Sequence, residues 1–125
     1  MSVSFKDFLC FAENLLINPD SQEIDYRNVM GRAYYAVYHL AKDKAQDYPD
    51  KKNRYGEIPK GSHERLIIKF QKHDNKTLRI LGEQMHKLKV NRHRADYDID
   101  EYVDISEAQQ LFDLAKLIIE ELEKL

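Results

Sequence analysis

Apolar residues recur along this chain at spacings of three and four, the period that lines up side chains on one face of an α-helix. From Phe5 to Ile17 the positions Phe5, Phe8, Leu9, Ala12, Leu15 and Leu16 keep that spacing, and Asn18-Pro19 ends the run. A second, longer helix is predicted as far as about Tyr48, capped by Asp20 or Ser21, with Tyr26, Val29, Ala33, Val37 and Leu40 as its core face. Gly31 inside it is costly for a helix, which predicts the close approach of a neighbouring backbone. Residues 49–61 break the pattern with two prolines, two glycines and four basic side chains, and read as the one substantial loop, of a length that is often functional or mobile. Ser62 is predicted to cap a third helix through about His73 with Leu66, Ile67 and Phe70 inward. A fourth helix follows from about Asn75 to Tyr97 along the seam Leu78, Leu81, Met85 and Leu88. Ser106 with Gln109 three residues later has the spacing of a capping box, ahead of the stripe Ala108, Leu111, Phe112, Ala115, Ile118, Ile119 and Leu122. No alternating strand pattern and no internal repeat interrupts the series. The pattern predicts an all-α, up-and-down four- to five-helix bundle, a single helical domain spanning residues 1–125.

Composition narrows this picture. A chain of 125 residues can bury one core without disulfide or metal staples. The lone Cys10 cannot pair within the chain, which agrees with a reducing compartment, and its neighbours Leu9, Phe11 and Leu15 predict an apolar filler. The opening residues lack the basic start and apolar run of a secretory signal, and no stretch approaches the roughly 18 apolar residues of a spanning helix. A soluble, cytoplasmic protein without a membrane partner is expected. The net charge of −2 excludes a generically basic nucleic-acid binder. Charge is unevenly placed, however: Lys87, Lys89, Arg92 and Arg94 precede Asp96, Asp98, Asp100, Glu101, Asp104 and Glu107. A phosphate-binding surface must therefore be local.

Within that basic stretch Arg92 continues the seam of the fourth helix, four residues beyond Leu88. Arginine is almost never fully buried unless paired, so this one needs a carboxylate, a phosphate or a cleft, and Asp96 lies one turn on. In the second helix Arg32, Ala36 and His39 share a face, so Arg32 and His39 could line one cleft. Tyr34, Tyr35 and Tyr38 beside them either stack on bases or pack the bundle. The acidic run from Asp96 to Glu107 matches the ligand positions of a calcium loop, but Glu101 occupies the sharp turn that wants glycine, and no second loop pairs with it. Capping and helix-dipole complementarity account for the same acids. His86 and His93 stand about 10 Å apart along a helix, too far to share a metal ion. No phosphate loop, zinc motif or nucleophile elbow occurs, and neither a metal nor a cofactor is predicted.

Three segments carry a family resemblance: Arg-Ala-Tyr-Tyr-Ala-Val-Tyr-His-Leu-Ala at 32–41, Ser-His-Glu at 62–64, and Arg-x-x-Ala-Asp-Tyr at 92–97 followed by a helix. In this order they resemble the HEPN family (higher eukaryotes and prokaryotes nucleotide-binding) in its small single-domain prokaryotic form. The resemblance implies a four- or five-helix bundle that dimerises, with motif residues of two protomers meeting at a cleft. It also implies metal-independent RNA cleavage in many members, and pairing with a minimal nucleotidyltransferase as toxin and antitoxin. Nuclease members carry an arginine followed after four to six residues by a histidine. Counted from Arg92, those positions hold Tyr97, Asp98 and Ile99. Self-cleavage of RNA needs a base, an acid and a cation on the phosphorane, and Arg92 supplies the cation alone. The resemblance therefore points to a catalytic group of Arg92, Asp96, Tyr97 and His39, with His39 as general base, and to Arg32, Tyr35, His93 and Arg94 as substrate-binding residues, His93 being the other histidine able to stand in for the missing one. A homodimeric RNA-binding protein, as an endoribonuclease with a degenerate motif, is the first reading. A non-catalytic interaction or nucleotide-binding module partnering a nucleotidyltransferase is the alternative.

Overall fold

A computed structural model describes residues 3–125, which form five helices: α1 (Phe5–Ile17), α2 (Glu23–Lys44), α3 (Ser62–Gln71), α4 (Lys76–Tyr97) and α5 (Ile105–Glu123). Among the described residues there is no strand, and the chain is an all-α helical bundle. None of these helices is long and apolar enough to cross a membrane.

The bundle is built around α2. This helix packs against each of the other four; α4 also meets α3 and α5, and α1 also meets α5, while α1 and α4 do not approach one another. Its sequence explains the position. Val29, Met30, Ala33, Tyr34, Ala36, Val37, Tyr38, Leu40 and Ala41 are all buried, far more than one stripe. Tyr26, expected in that core face, is half-buried and donates its hydroxyl to the Ser21 carbonyl at 3.1 Å. α1 buries Ala12 and Leu16 and lays Phe5, Phe8, Leu9 and Leu15 on the core, whereas Cys10 is exposed rather than a filler. Because α1 and α4 lean on α2 without touching, a strip of α2 between them forms the floor of a groove.

The helix ends differ from expectation where a competing side chain captures the cap. α2 begins after Gln22, whose backbone N–H donates to Asp25 at 2.9 Å, so neither Asp20 nor Ser21 is the cap. It stops at Lys44, and Tyr48 lies beyond it against Phe70 and His73. α3 is capped by Gly61, with Ser62 as its first residue. Asp104, not Ser106, caps α5 by accepting from the Glu107 N–H at 2.9 Å. Glu107 and Glu101 both turn to Arg94. The acidic run thus closes a cap and neutralises one arginine.

Loop 45–61 is pinned rather than free. Asp50 pairs with Arg65 and Lys69, the Asn53 carbonyl side chain accepts from Tyr55 and Glu57, and Gly56 takes the positive φ of 76° that closes the turn. The close backbone approach expected at Gly31 occurs instead at Gly82, where a Cβ would stand 2.5 Å from the Gln71 nitrogen. Gly31 faces the Asp96 side chain at an ordinary 4.0 Å.

Arg27 on α2 is the one buried charged or polar side chain among the described residues, 7% exposed. Its guanidinium donates to the carbonyls of Ala95 at 2.8 Å, Asp98 at 3.3 Å and Glu101, and sits 3.5 Å from Glu23. Glu23 in turn accepts from the Val103 N–H at 2.7 Å. Helix α4 ends with carbonyls that have no intrahelical partner; Arg27 satisfies that of Ala95 from across the bundle and ties down those of Asp98 and Glu101 in the turn that follows.

An aromatic and cationic cleft

Four helices bring side chains to the groove. From α2 come Tyr34, Tyr35, Tyr38 and His39, which the helical period spreads across an arc facing α1, α3 and α4. Phe8 of α1 stacks on His39 at 5.3 Å between ring centres. Arg92 enters from α4 and His63 from the first turn of α3.

Arg92 is held on three sides. Its Nη2 donates to the Tyr35 hydroxyl at 3.1 Å, its guanidinium lies 5.2 Å from the Tyr35 ring and 6.0 Å from the Tyr34 ring, and Asp96 approaches Nε to 2.9 Å. That carboxylate sits off the N–H axis, so the buried Nε–H has no acceptor among the described residues. The side chain remains about one-fifth exposed, and that of Asp96 is 39% exposed. Arg92 is therefore at the boundary of the core rather than within it, as its place on the seam of Leu78, Leu81, Met85 and Leu88 suggested.

His63 was not among the expected site residues, and the structure places it at the centre. Its Nδ1 lies 2.7 Å from the Tyr34 hydroxyl, and its ring stacks on Tyr38 at 4.0 Å with 16° between planes. Burial, then the positive charges of Arg92 and Lys89, hold its pKa below the usual imidazole value of 6.5. Burial also pushes the Tyr34 phenol far above its ordinary range, so it is a neutral hydroxyl. The cleft is thus locally positive in a chain whose net charge is −2.

The remaining candidates divide. Arg92, Asp96, Tyr35 and His39 share the cleft, His39 being exposed at its edge, 6.2 Å from Tyr35 and 5.4 Å from Tyr38. Arg32 is exposed, stacks over Phe11 at 6.0 Å, and borders an apolar pocket of about 230 Å³ with Phe8 and Asp7. His93 and Tyr97 stack on each other at 4.5 Å on the exposed side of α4, and neither contacts the rings of Tyr34, Tyr35, His39 or His63. Arg94 is spent on Glu101 at 3.0 Å and on Glu107, which removes it from the basic stretch. Of that stretch, Arg92 alone reaches the cleft tyrosines. A scan of family models, a search of curated proteins and a search of solved structures found no match to this chain.

Proposed function

We propose that this chain is a HEPN-type RNA-binding protein, working as a homodimer, whose cleft takes a phosphodiester on Arg92 and stacks a base on the partly exposed ring of Tyr35. The meeting of Arg92, His39 and His63 around Tyr35, with Tyr34 and Tyr38 beneath, carries this reading. A guanidinium held flat by Tyr35 and Asp96 is preorganised for a phosphate, and its orphaned Nε–H retains unused donor capacity. Aromatic rings beside a cationic site suit single-stranded RNA, whose unstacked bases offer their faces. Cleavage without a metal would use Arg92 to stabilise the phosphorane and the exposed His39 for proton transfer. A growth-arresting ribonuclease restrained by a partner nucleotidyltransferase is the biological role this chemistry fits.

The test is Arg92→Ala, with RNA binding, cleavage and thermal melting measured on the same preparation. Binding should fall at least tenfold, and its salt dependence should flatten by about one phosphate contact. Arg92→Lys should also be poor, since the fork is lost. Stability should drop by no more than about 1 kcal/mol, because the Arg92–Asp96 pair is partly exposed. RNA binding that is unchanged in the variant, or insensitive to salt in the native chain, would favour a non-catalytic interaction module.

A further inference from the structure

The Tyr34–His63 hydrogen bond has no place in the grip just described, although it joins the most deeply buried tyrosine to the imidazole that stacks on Tyr38 and meets Tyr35 edge-on. We propose that His63 is a second anion-binding residue of the cleft: a neutral imidazole whose Nε2–H donates to a phosphate oxygen held by Arg92, with Tyr34 as the positioning residue that fixes this tautomer. The inference rests on the RNA-binding reading and extends it to a residue outside the family-like arginine motif.

The tautomer follows from hydrogen-bond accounting. The Tyr34 ring is 1% exposed, and among the described residues its hydroxyl has no partner other than His63 Nδ1, at 2.7 Å. A buried hydroxyl donor is costly to leave unmade, so the phenol donates and Nδ1 accepts. Nδ1 must then be unprotonated. In a neutral ring the proton is on Nε2, the nitrogen left for a ligand. The ring does not take up a second proton readily, because burial and the charges of Arg92 and Lys89 oppose it.

Orientation follows from stacking. Tyr38 lies parallel to the imidazole at 4.0 Å, and Tyr35 meets it edge-on at 6.0 Å. Tyr34 and Tyr35 are also the two rings that Arg92 overlies. His63 and Arg92 therefore border the same pair of tyrosines from α3 and α4. A phosphodiester on that floor has two non-bridging oxygens to satisfy: Arg92 offers one a charge, and His63 offers the other a fixed donor. The charge and the donor come from different helices, so the seat exists only in the folded bundle.

Two measurements test this. Long-range proton–nitrogen NMR of the ¹⁵N-labelled protein at pH 7 should find His63 protonated at Nε2 and bare at Nδ1. Titration with a 2′-O-methyl oligoribonucleotide, which lacks the hydroxyl needed for self-cleavage, should then shift the Nε2 signal. His63→Ala should weaken that oligonucleotide about tenfold, the loss expected for a hydrogen bond to a charged partner. The slope of log affinity against log salt should stay unchanged, since no charge is removed, whereas Arg92→Ala should lower both. Tyr34→Phe removes one oxygen and keeps the ring; it should mix the His63 tautomers and weaken binding by a smaller factor. A proton found on Nδ1, or native affinity in His63→Ala alongside a weakened Arg92→Ala, would overturn the assignment and leave the RNA reading standing. Native affinity in both variants would take down both.

Discussion

Arg27 and Arg92 are the same side chain on neighbouring helices, and their surroundings give them opposite work. Every face of Arg27 meets protein: backbone carbonyls 68 to 74 residues away in sequence, and Glu23 on its own helix. Arg27→Ala should strand those carbonyls and Glu23 together and cost about 3 kcal/mol, read as a shift in the urea unfolding midpoint. A loss below about 0.5 kcal/mol would mean that water satisfies the end of α4 unaided. Arg92 was legible in the sequence because it extends an apolar seam. The same reading of α2 reaches Arg27 through Met30 and Tyr34, three and seven residues on, but a core face drawn through Tyr26 passes it by. Nothing local identified the carbonyls it serves. His63 was harder still, since one histidine at the start of a short helix carries no periodic signal and its meaning comes from Tyr34 and Tyr38 on another element.

All five helices were legible from their apolar period, because each buries a face on its neighbours. The ends of α1 and α4 were legible too, at Asn18 and Asn75, but the caps of α2, α3 and α5 were not, because several candidates compete within a few residues and tertiary partners decide between them: Glu107 reaches Arg94 across the α4–α5 turn, while Asp104 takes the cap. The two helical glycines make the same point about close approach. Gly82→Ala would drive a methyl to 2.5 Å from the Gln71 nitrogen and 2.9 Å from its Cα, so α3 and α4 must separate. A loss of about 1 to 3 kcal/mol is expected from overpacking, net of the gain in helix propensity. Gly31→Ala meets open space up to Asp96 and should stabilise the chain by about 1 kcal/mol. Thermal melts of the two variants moving in the same direction would contradict this account.

At the scale of the whole molecule, the dimer that the family resemblance implies needs apolar surface beyond what one bundle hides, and α2 and α4 are the longest helices to supply it. The bundle consumes that of α2, which leaves Ile24 as its one large exposed apolar side chain. On α4, however, Ile80, Val90 and Tyr97 remain at 49%, 53% and 64% exposure, with His86 and His93 between them. The dimer proposed above should therefore use the outer face of α4. Sedimentation at tens of micromolar should give two copies, and Val90→Glu should give one. A native chain that sediments as a monomer would remove the dimer from the model of function.

The position of α2 also bears on how this cleft could evolve. Its site-facing residues Tyr34, Tyr35, Tyr38 and His39 alternate with Ala33, Ala36, Val37 and Leu40, which hold the bundle together. A change of preference made on this helix is therefore paid in foldedness. Phe11 on α1 and Arg32, exposed beside the pocket next to Phe8, carry no such load. New specificities should accumulate there first, at the periphery, while the floor stays conservative.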